Sequence, residues 1–220
     1  MSITVQQVTD AKAHIGTLKS EAHPKTNKYW TDVVNGIVIV NPEIIAGQLE
    51  SARKKIQEAK SQWKDILIVC EKKMYADNLA KLWQEYGFNY LNYKVPSWFL
   101  TNFDTLRKRI ESMNSMARFV ETDDYHSLTK KEQLIYKRKL DRVHKIYKWV
   151  KDLSKRPDLV VVVDWGMMKN FINEIEKKDN IEGIIIAWTN FDRRWEDDNL
   201  IIWNIWSYRS IDFILKSILS

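Results

Sequence analysis

Between Phe103 and Ser154 the pattern of apolar residues leaves the chain little choice but two long helices. Phe103, Leu106, Ile110, Met113, Ala117 and Val120 recur at alternating steps of three and four, and Tyr136, Leu140, Val143, Tyr147 and Val150 repeat the same rhythm. That spacing draws one apolar seam along each helix, as in two helices packed as a coiled coil. Neither half contains a glycine or a proline, and the polar run from Glu121 to Ser127 is the natural place for a reversal. Thr129 with Glu132 three residues later makes a capping box, which gives the second helix its start. The flanking sequence has a different character. Residues 103–155 are therefore expected to be an antiparallel coiled-coil hairpin inserted into another domain.

That other domain reads as alternating strands and helices. Short apolar runs at Ile37 to Val40, Asp65 to Cys70, Phe88 to Tyr93, Leu159 to Val163, Gly183 to Ala187 and Leu200 to Ile205 suit strands buried on both faces, the third being more polar. Asn41 as cap and Pro42 at the first helical position open a helix whose inward face is Ile44, Ile45, Leu49, Ala52 and Ile56. Further helices are expected over Tyr75 to Tyr86, stopped by Gly87, over Met167 to Lys178, and over Tyr208 to Leu219. The alternation predicts an α/β fold, a parallel sheet flanked by helices, from residues 1–102 and 156–220, with the strand order left open. Residues 1–34 read as an irregular N-terminal arm. It carries a basic and aromatic run of Lys19, His23, Lys25, Lys28, Tyr29 and Trp30.

Chemistry is hard to place on this frame. Ligands of an open parallel sheet bind beyond the carboxyl ends of its strands, yet the first strand–helix turn has no glycine and no P-loop pattern occurs. His14, His23, His126 and His144 fall in unrelated segments, and no Gly-x-Ser-x-Gly elbow is present. Asp164 ends the strongest strand and is expected to cap the following helix rather than serve as a base. Asp197 and Asp198, beside Arg193, Arg194 and Glu196, read as a solvated loop. Cys70 is the single cysteine, lies in an apolar run, and is expected to be a buried, inert thiol. No catalytic residue, metal site or cofactor is assigned. No apolar run approaches the roughly eighteen residues of a membrane span, and the start of the chain has neither a signal peptide nor an Arg-rich presequence. The chain is thus expected to be made in the compartment where it works.

The charge is better placed. The net charge is +6, which favours an anionic partner: nucleic acid first, a membrane surface second. From Lys130 to Lys151 the basic residues are Lys130, Lys131, Lys137, Arg138, Lys139, Arg142, Lys145, Lys148 and Lys151, opposed only by Glu132 and Asp141. Solvated helix faces normally mix signs; such an excess is what a phosphate backbone would select.

Several motifs carry a resemblance to a known family. Leu100-Thr101-Asn102-Phe103-x-Thr105-Leu106-Arg107 resembles the Leu-Thr-Asn-aromatic motif of ribosomal protein S2, in its bacterial and organellar form, and Leu128 to Glu132 resembles the start of that family's second hairpin helix. Arg156-Pro157-Asp158 with the following valines and Asp164 is similar to its Leu-Pro-Asp strand, and Thr189-Asn190-x-Asp192 to its Asp-Thr-Asn-x-Asp loop. Ala13-His14-Ile15-Gly16 and His23-Pro24-Lys25 line up with its Val-His-Phe-Gly and Asn-Pro-Lys elements. The likeness covers essentially the whole chain, in order. It departs at Thr17, where the family has a second histidine, at Val95-Pro96-Ser97-Trp98, at Trp188 and Arg193, and around Trp203-Asn204-Ile205-Trp206, where a Pro-Gly-Asn-Asp-Asp element is replaced.

The resemblance implies a flavodoxin-like sheet with a protruding coiled coil. It also implies a structural, non-catalytic role in the small ribosomal subunit, bound to small-subunit ribosomal RNA and neighbouring ribosomal proteins, with no membrane and no homo-oligomer. The expected RNA contacts are Lys19, Lys25 and Lys28 in the arm, Arg107 and Arg109 at the hairpin root, Lys130, Lys131, Lys137, Arg138, Lys139 and Arg142 along it, and Arg193 and Arg194. The drift towards Lys, Asn, Ile and Trp favours a mitochondrial ribosome, with the bacterial cytoplasm as the alternative. Two other readings remain open from the residues: an α/β enzyme with a nucleotide or phosphate ligand, and a coiled-coil module that binds protein.

Overall fold

The computed structural model describes residues 3–178, 180–195 and 197–220. The first two residues of the expected arm, Met1 and Ser2, and Glu196 of the expected solvated loop lie outside the described residues, as does Asp179.

The N-terminal arm is a correction to the sequence reading, for it is regular. Helix α1 (Val5–Asp10) starts on a capping box between Thr4 and Gln7. Strands β1 (Ile15–Leu18), β2 (Trp30–Val34) and β3 (Ile37–Val40) form an antiparallel sheet in the order β1-β3-β2. The Ile37 to Val40 run therefore does not join the parallel sheet. The physical reason lies in Asn35-Gly36: both residues have positive φ, 50° and 79°, and connect Val34 to its partner Ile37 as a two-residue hairpin turn. A strand caught in that hairpin alternates half-buried and buried positions, as β3 does.

From Asn41 onward the predicted alternation is observed. The Asn41 side chain accepts a hydrogen bond from the Glu43 N–H (2.9 Å), and helix α2 (Pro42–Ser61) buries Ile45, Leu49, Ala52 and Ile56. There follow β4 (Ile66–Val69), α3 (Ala76–Tyr86), stopped by left-handed Gly87, and β5 (Asn89–Leu91). Then come α4 (Phe103–Phe119), α5 (Asp123–Ser127) and α6 (Lys130–Tyr147). The chain closes with β6 (Leu159–Val163), α7 (Lys169–Glu176), β7 (Glu182–Ala187), β8 (Leu200–Ile202) and α8 (Tyr208–Leu219). Five strands pair in parallel in the order β5-β4-β6-β7-β8, which in order of appearance is the flavodoxin-like 2-1-3-4-5 arrangement. Every residue of β4, β6 and β8 is buried, as a sheet covered on both faces requires.

Asp158 sets where three of these strands begin. Its carboxylate accepts from the Asp65 N–H (2.9 Å), its own N–H donates to the Asp65 carbonyl (2.9 Å), and its carbonyl accepts from the Glu182 N–H (3.0 Å). Asp164, at the other end of β6, does not cap α7, which starts five residues later at Lys169. It holds a turn by accepting from the Gly166 N–H (3.0 Å) and forms a buried ion pair with Lys72 at 2.7 Å.

The segment between β5 and β6 is helical, as the two seams predict. Phe103, Leu106, Ile110 and Met113 of α4 are buried, with Met116 beside them, and α6 turns Tyr136, Leu140, Val143 and Tyr147 inward. The reversal is not the simple polar turn expected. Within it α5 buries Tyr125, whose ring meets Phe119 at 6.0 Å and Tyr136 at 5.8 Å. The Gln133 amide donates to the carbonyls of Tyr125, His126 and Leu128, so the reversal is stapled to the first turn of α6. At the opposite end the buried carboxylate of Glu174 on α7 accepts from the N–H groups of Leu100 (2.9 Å) and Thr101 (3.1 Å) and from the Thr101 hydroxyl (3.3 Å). One side chain thus carries the backbone polar groups where the chain enters α4.

Glu174→Ala strands those buried donors and is expected to cost about 2–4 kcal/mol, read by urea denaturation. Glu174→Gln keeps an acceptor and should lose less than half as much; equal losses would mean that packing rather than hydrogen bonding holds the root.

Candidate nucleic-acid interface

On α6 the inward seam at Tyr136, Leu140, Val143 and Tyr147 dictates where the charge goes. At 3.6 residues per turn Lys131, Arg138, Arg142 and Lys145 fall on the opposite side, away from α4, with Lys137 and Lys139 flanking them. Lys130, Lys131, Lys137, Arg138, Lys139 and Arg142 are all exposed and make no ion pair among the described residues. Glu132, near the start of α6, is held below the usual carboxyl range by hydrogen bonds to Thr129 and so belongs to the cap. Towards the base the ammonium of Lys145 lies 4.1 Å from the Tyr93 ring and that of Lys148 lies 4.1 Å from Trp149, so these two partly face the sheet domain.

The other sequence-predicted cations divide into engaged and free. The Lys25 ammonium donates to the Asp192 carbonyl. Lys28 pairs with Asp197 at 2.6 Å, and the Tyr29 hydroxyl donates to the same carboxylate at 2.5 Å. Arg107 pairs with Glu111 at 2.8 Å and Arg193 with Glu176 at 3.0 Å. Lys19, Arg109 and Arg194 are exposed and unpaired among the described residues. Tyr29 is buried and the Trp30 indole N–H donates to the Thr26 hydroxyl (3.0 Å), so both aromatic residues are packed against the arm.

The engaged lysines belong to a larger contact between the N-terminal sheet and the loop after β7. The Thr189 hydroxyl accepts from the Thr17 N–H and pairs with the Thr17 hydroxyl, both at 2.8 Å. Its carbonyl accepts from the His23 N–H and the Thr26 hydroxyl, both at 2.9 Å. Gly16 is required there: a Cβ would stand 2.8 Å from the Val38 carbonyl oxygen and 2.9 Å from a Thr189 methyl. The motifs around Gly16, His23 and Thr189, far apart in sequence, are one joint in space. The Asp-to-Trp departure at 188 is absorbed there too, since the Trp188 indole N–H donates to the Ile15 carbonyl (3.0 Å).

The carboxyl ends of the strands, where a ligand would be sought, are occupied by structural bonds. Lys72 and Asp164 satisfy each other, with the Trp206 ring 3.9 Å from the ammonium. Burial pushes the Cys70 thiol up to about 11 and lowers His14 below its ordinary value, the opposite of what a nucleophile or a cationic acid needs. Among the described residues no cluster of His, Cys, Asp and Glu could hold a metal ion, and no helix is long and apolar enough to cross a membrane. Sequence reading missed Glu174 and the Thr17–Thr189 and Lys72–Asp164 pairs, because long-range partners leave no local pattern. The Asn35-Gly36 turn was legible and overlooked.

Comparison with known proteins gives a consistent result. The sequence model of the family described as Ribosomal protein S2 matches residues 8–220. The small ribosomal subunit protein uS2 of Coprothermobacter proteolyticus is 30% identical over 190 residues, which is 86% of this chain and 70% of that protein.

Hydrogen bonds from Lys28 and Tyr29 hold the Asp197 carboxyl below its ordinary value. A carboxyl depressed by folding stabilises above its unfolded pKa of about 4 and loses that stabilisation as the pH falls through the folded value. Asp197→Asn should therefore flatten the acid limb of a thermal-stability profile below about pH 4 while leaving the neutral-pH fold intact. An unchanged acid limb would show that the pair contributes nothing.

Proposed function

The chain belongs to the ribosomal protein S2 family and is a structural protein of the small ribosomal subunit, and we propose that its α6 face binds small-subunit ribosomal RNA through the phosphate backbone. The observation that carries this reading is the exposed row of Lys130, Lys131, Lys137, Arg138, Lys139 and Arg142, without ion pairs among the described residues, on a helix whose first turn is stapled to the reversal before it. Phosphate contacts of this kind position a protein on RNA without reading its sequence. Lys19, Arg109 and Arg194 are supporting contacts; Lys25, Lys28, Arg107 and Arg193 reach phosphate only by sharing or leaving a carboxylate or carbonyl partner. The role is non-catalytic. The bonded carboxyl ends of the strands support this, since the polar groups there already have protein partners.

One observation supports a neighbouring ribosomal protein at the outer end of the hairpin. Leu134 and Ile135 interrupt the basic row and remain 49% and 57% exposed. The departures from the family pattern at Trp188, Arg193 and Trp203 to Trp206 support a mitochondrial ribosome as the site of action over a bacterial one.

Reversing Lys137, Arg138 and Lys139 to Glu should weaken binding to small-subunit RNA by roughly tenfold or more at moderate salt and lower the slope of log K against log salt by about 2–3. Far-UV circular dichroism should stay unchanged. An unaltered affinity and slope would remove α6 from the RNA interface. Failure of the wild-type chain to co-sediment with the small subunit would remove the assignment altogether.

A further inference from the structure

At its base α6 faces α3 across an open cleft of about 430 Å³. Lys73 and Asp77 line one wall, and Asp141, Lys145 and Lys148 line the other. Among the described residues none of these five charged groups forms an ion pair. We propose that the cleft is the open position of a hinge, and that α6 closes onto α3 by pairing Asp77 with Lys145 and Lys73 with Asp141. Such a hinge sets the direction in which the basic face of α6 points, a property separate from what that face binds.

The two walls are complementary in order as well as in sign. Both run from the carboxyl end of the sheet towards its middle. On one side the chain passes from β4 through Lys73 into α3; on the other, Lys145 lies against Tyr93, just beyond β5, before the Trp149 ring stacks on Tyr90 within β5. The walls meet where the rings of Trp83 and Trp149 lie 5.2 Å apart. Away from this contact one wall presents Asp77 and then Lys73, and the other presents Lys148 and Lys145 and then Asp141. Acid faces base at both levels. Solvated charges scattered on two helices have no reason to match in this way.

The surroundings permit the movement. The other α3 residues at the cleft are Ala76 and Ala80, small enough for a close approach. Below the cleft α6 gives way to a single 3₁₀ turn, Lys148–Val150, a local change of helix type that often marks a hinge. That turn is fixed to the sheet domain, with Val150 buried and Trp149 held by Trp83 and Tyr90, so bending is confined to the junction above it. The ammonium groups of Lys145 and Lys148 rest on the rings of Tyr93 and Trp149, each at 4.1 Å, instead of on carboxylates. Exposed cation–π contacts and exposed ion pairs are similarly weak, so exchanging one for the other costs little. His144, on the same wall, is held below its ordinary value chiefly by burial and adds no cation at neutral pH. Each exposed pair shifts an equilibrium by at most about fivefold. The open and closed positions are therefore close in free energy, and salt sets the balance between them.

The test is a distance measurement on the full chain by double electron–electron resonance, with spin labels on Lys81→Cys of α3 and Lys137→Cys of α6. The native Cys70 is buried and stays unlabelled. At about 50 mM KCl two distances are expected, and at about 0.5 M KCl the population of the shorter should fall at least about threefold relative to the longer. Asp77→Lys should remove the shorter distance at low salt, and Lys145→Glu added to it should bring that distance back. Asp141→Lys should weaken it independently through Lys73. Asp77, Asp141 and Lys145 are all exposed, so the melting temperature should stay unchanged in these variants. A single distance, the same at every salt concentration and in every variant, would overturn the hinge. A short distance that survives both Asp77→Lys and Asp141→Lys at low salt would equally overturn it, because closure would then not be made by these charges.

Discussion

A strand with all five residues buried, as in β6, leaves no face for water, so helices must cover it on both sides and each neighbour must pair along its whole length. That burial also makes register unforgiving. Asp158 sets it at the amino end by bonding the backbone that begins β4 and β7, and the Lys72–Asp164 pair closes the carboxyl end. Both partners of that pair are 7% exposed. Taking two charges out of water is expensive, and removing either one alone would leave the other uncompensated. The sheet is therefore clamped at both ends of its central strand, and the crossover between β5 and β6 is free to be long. Helices α4, α5 and α6 occupy that crossover.

The same economy of polar groups separates structural charge from available charge. Between β1 and β2, Lys25 and Lys28 sit on a helical turn beside the loop after β7, and their ammonium groups are engaged by the Asp192 carbonyl and the Asp197 carboxylate. On α6 the seam turns Tyr136, Leu140, Val143 and Tyr147 inward and leaves the cations facing solvent, without ion pairs among the described residues. A basic residue in a motif and a basic residue at an interface are thus different things. The motif cations hold the arm to the loop after β7; the repetitive ones on α6 face solvent.

Legibility followed the range of the interactions. The seams of α4 and α6, the Asn41-Pro42 start of α2, the Gly87 stop and the Thr129–Glu132 box are contacts within a few residues, and each is found where the residues indicate. The antiparallel sheet at residues 15–40 is signalled locally by Asn35-Gly36, but the run Ile37 to Val40 is as apolar as a strand buried on both faces although only its alternate residues are buried. The α5 helix leaves no local apolar pattern, because Tyr125 is buried by Phe119 and Tyr136, which meet it across the reversal.

By itself the sequence determined the fold class, the place of the helices between β5 and β6 and the family, since periodicity, caps and motifs are all written along the chain. Only the tertiary structure decided the strand order, the joining of Gly16, His23 and Thr189, and the role of Glu174. It alone decided which lysines have protein partners among the described residues. The reason is physical. A hydrogen bond or ion pair across 74 or 172 residues depends on three-dimensional distance, and no local pattern records it.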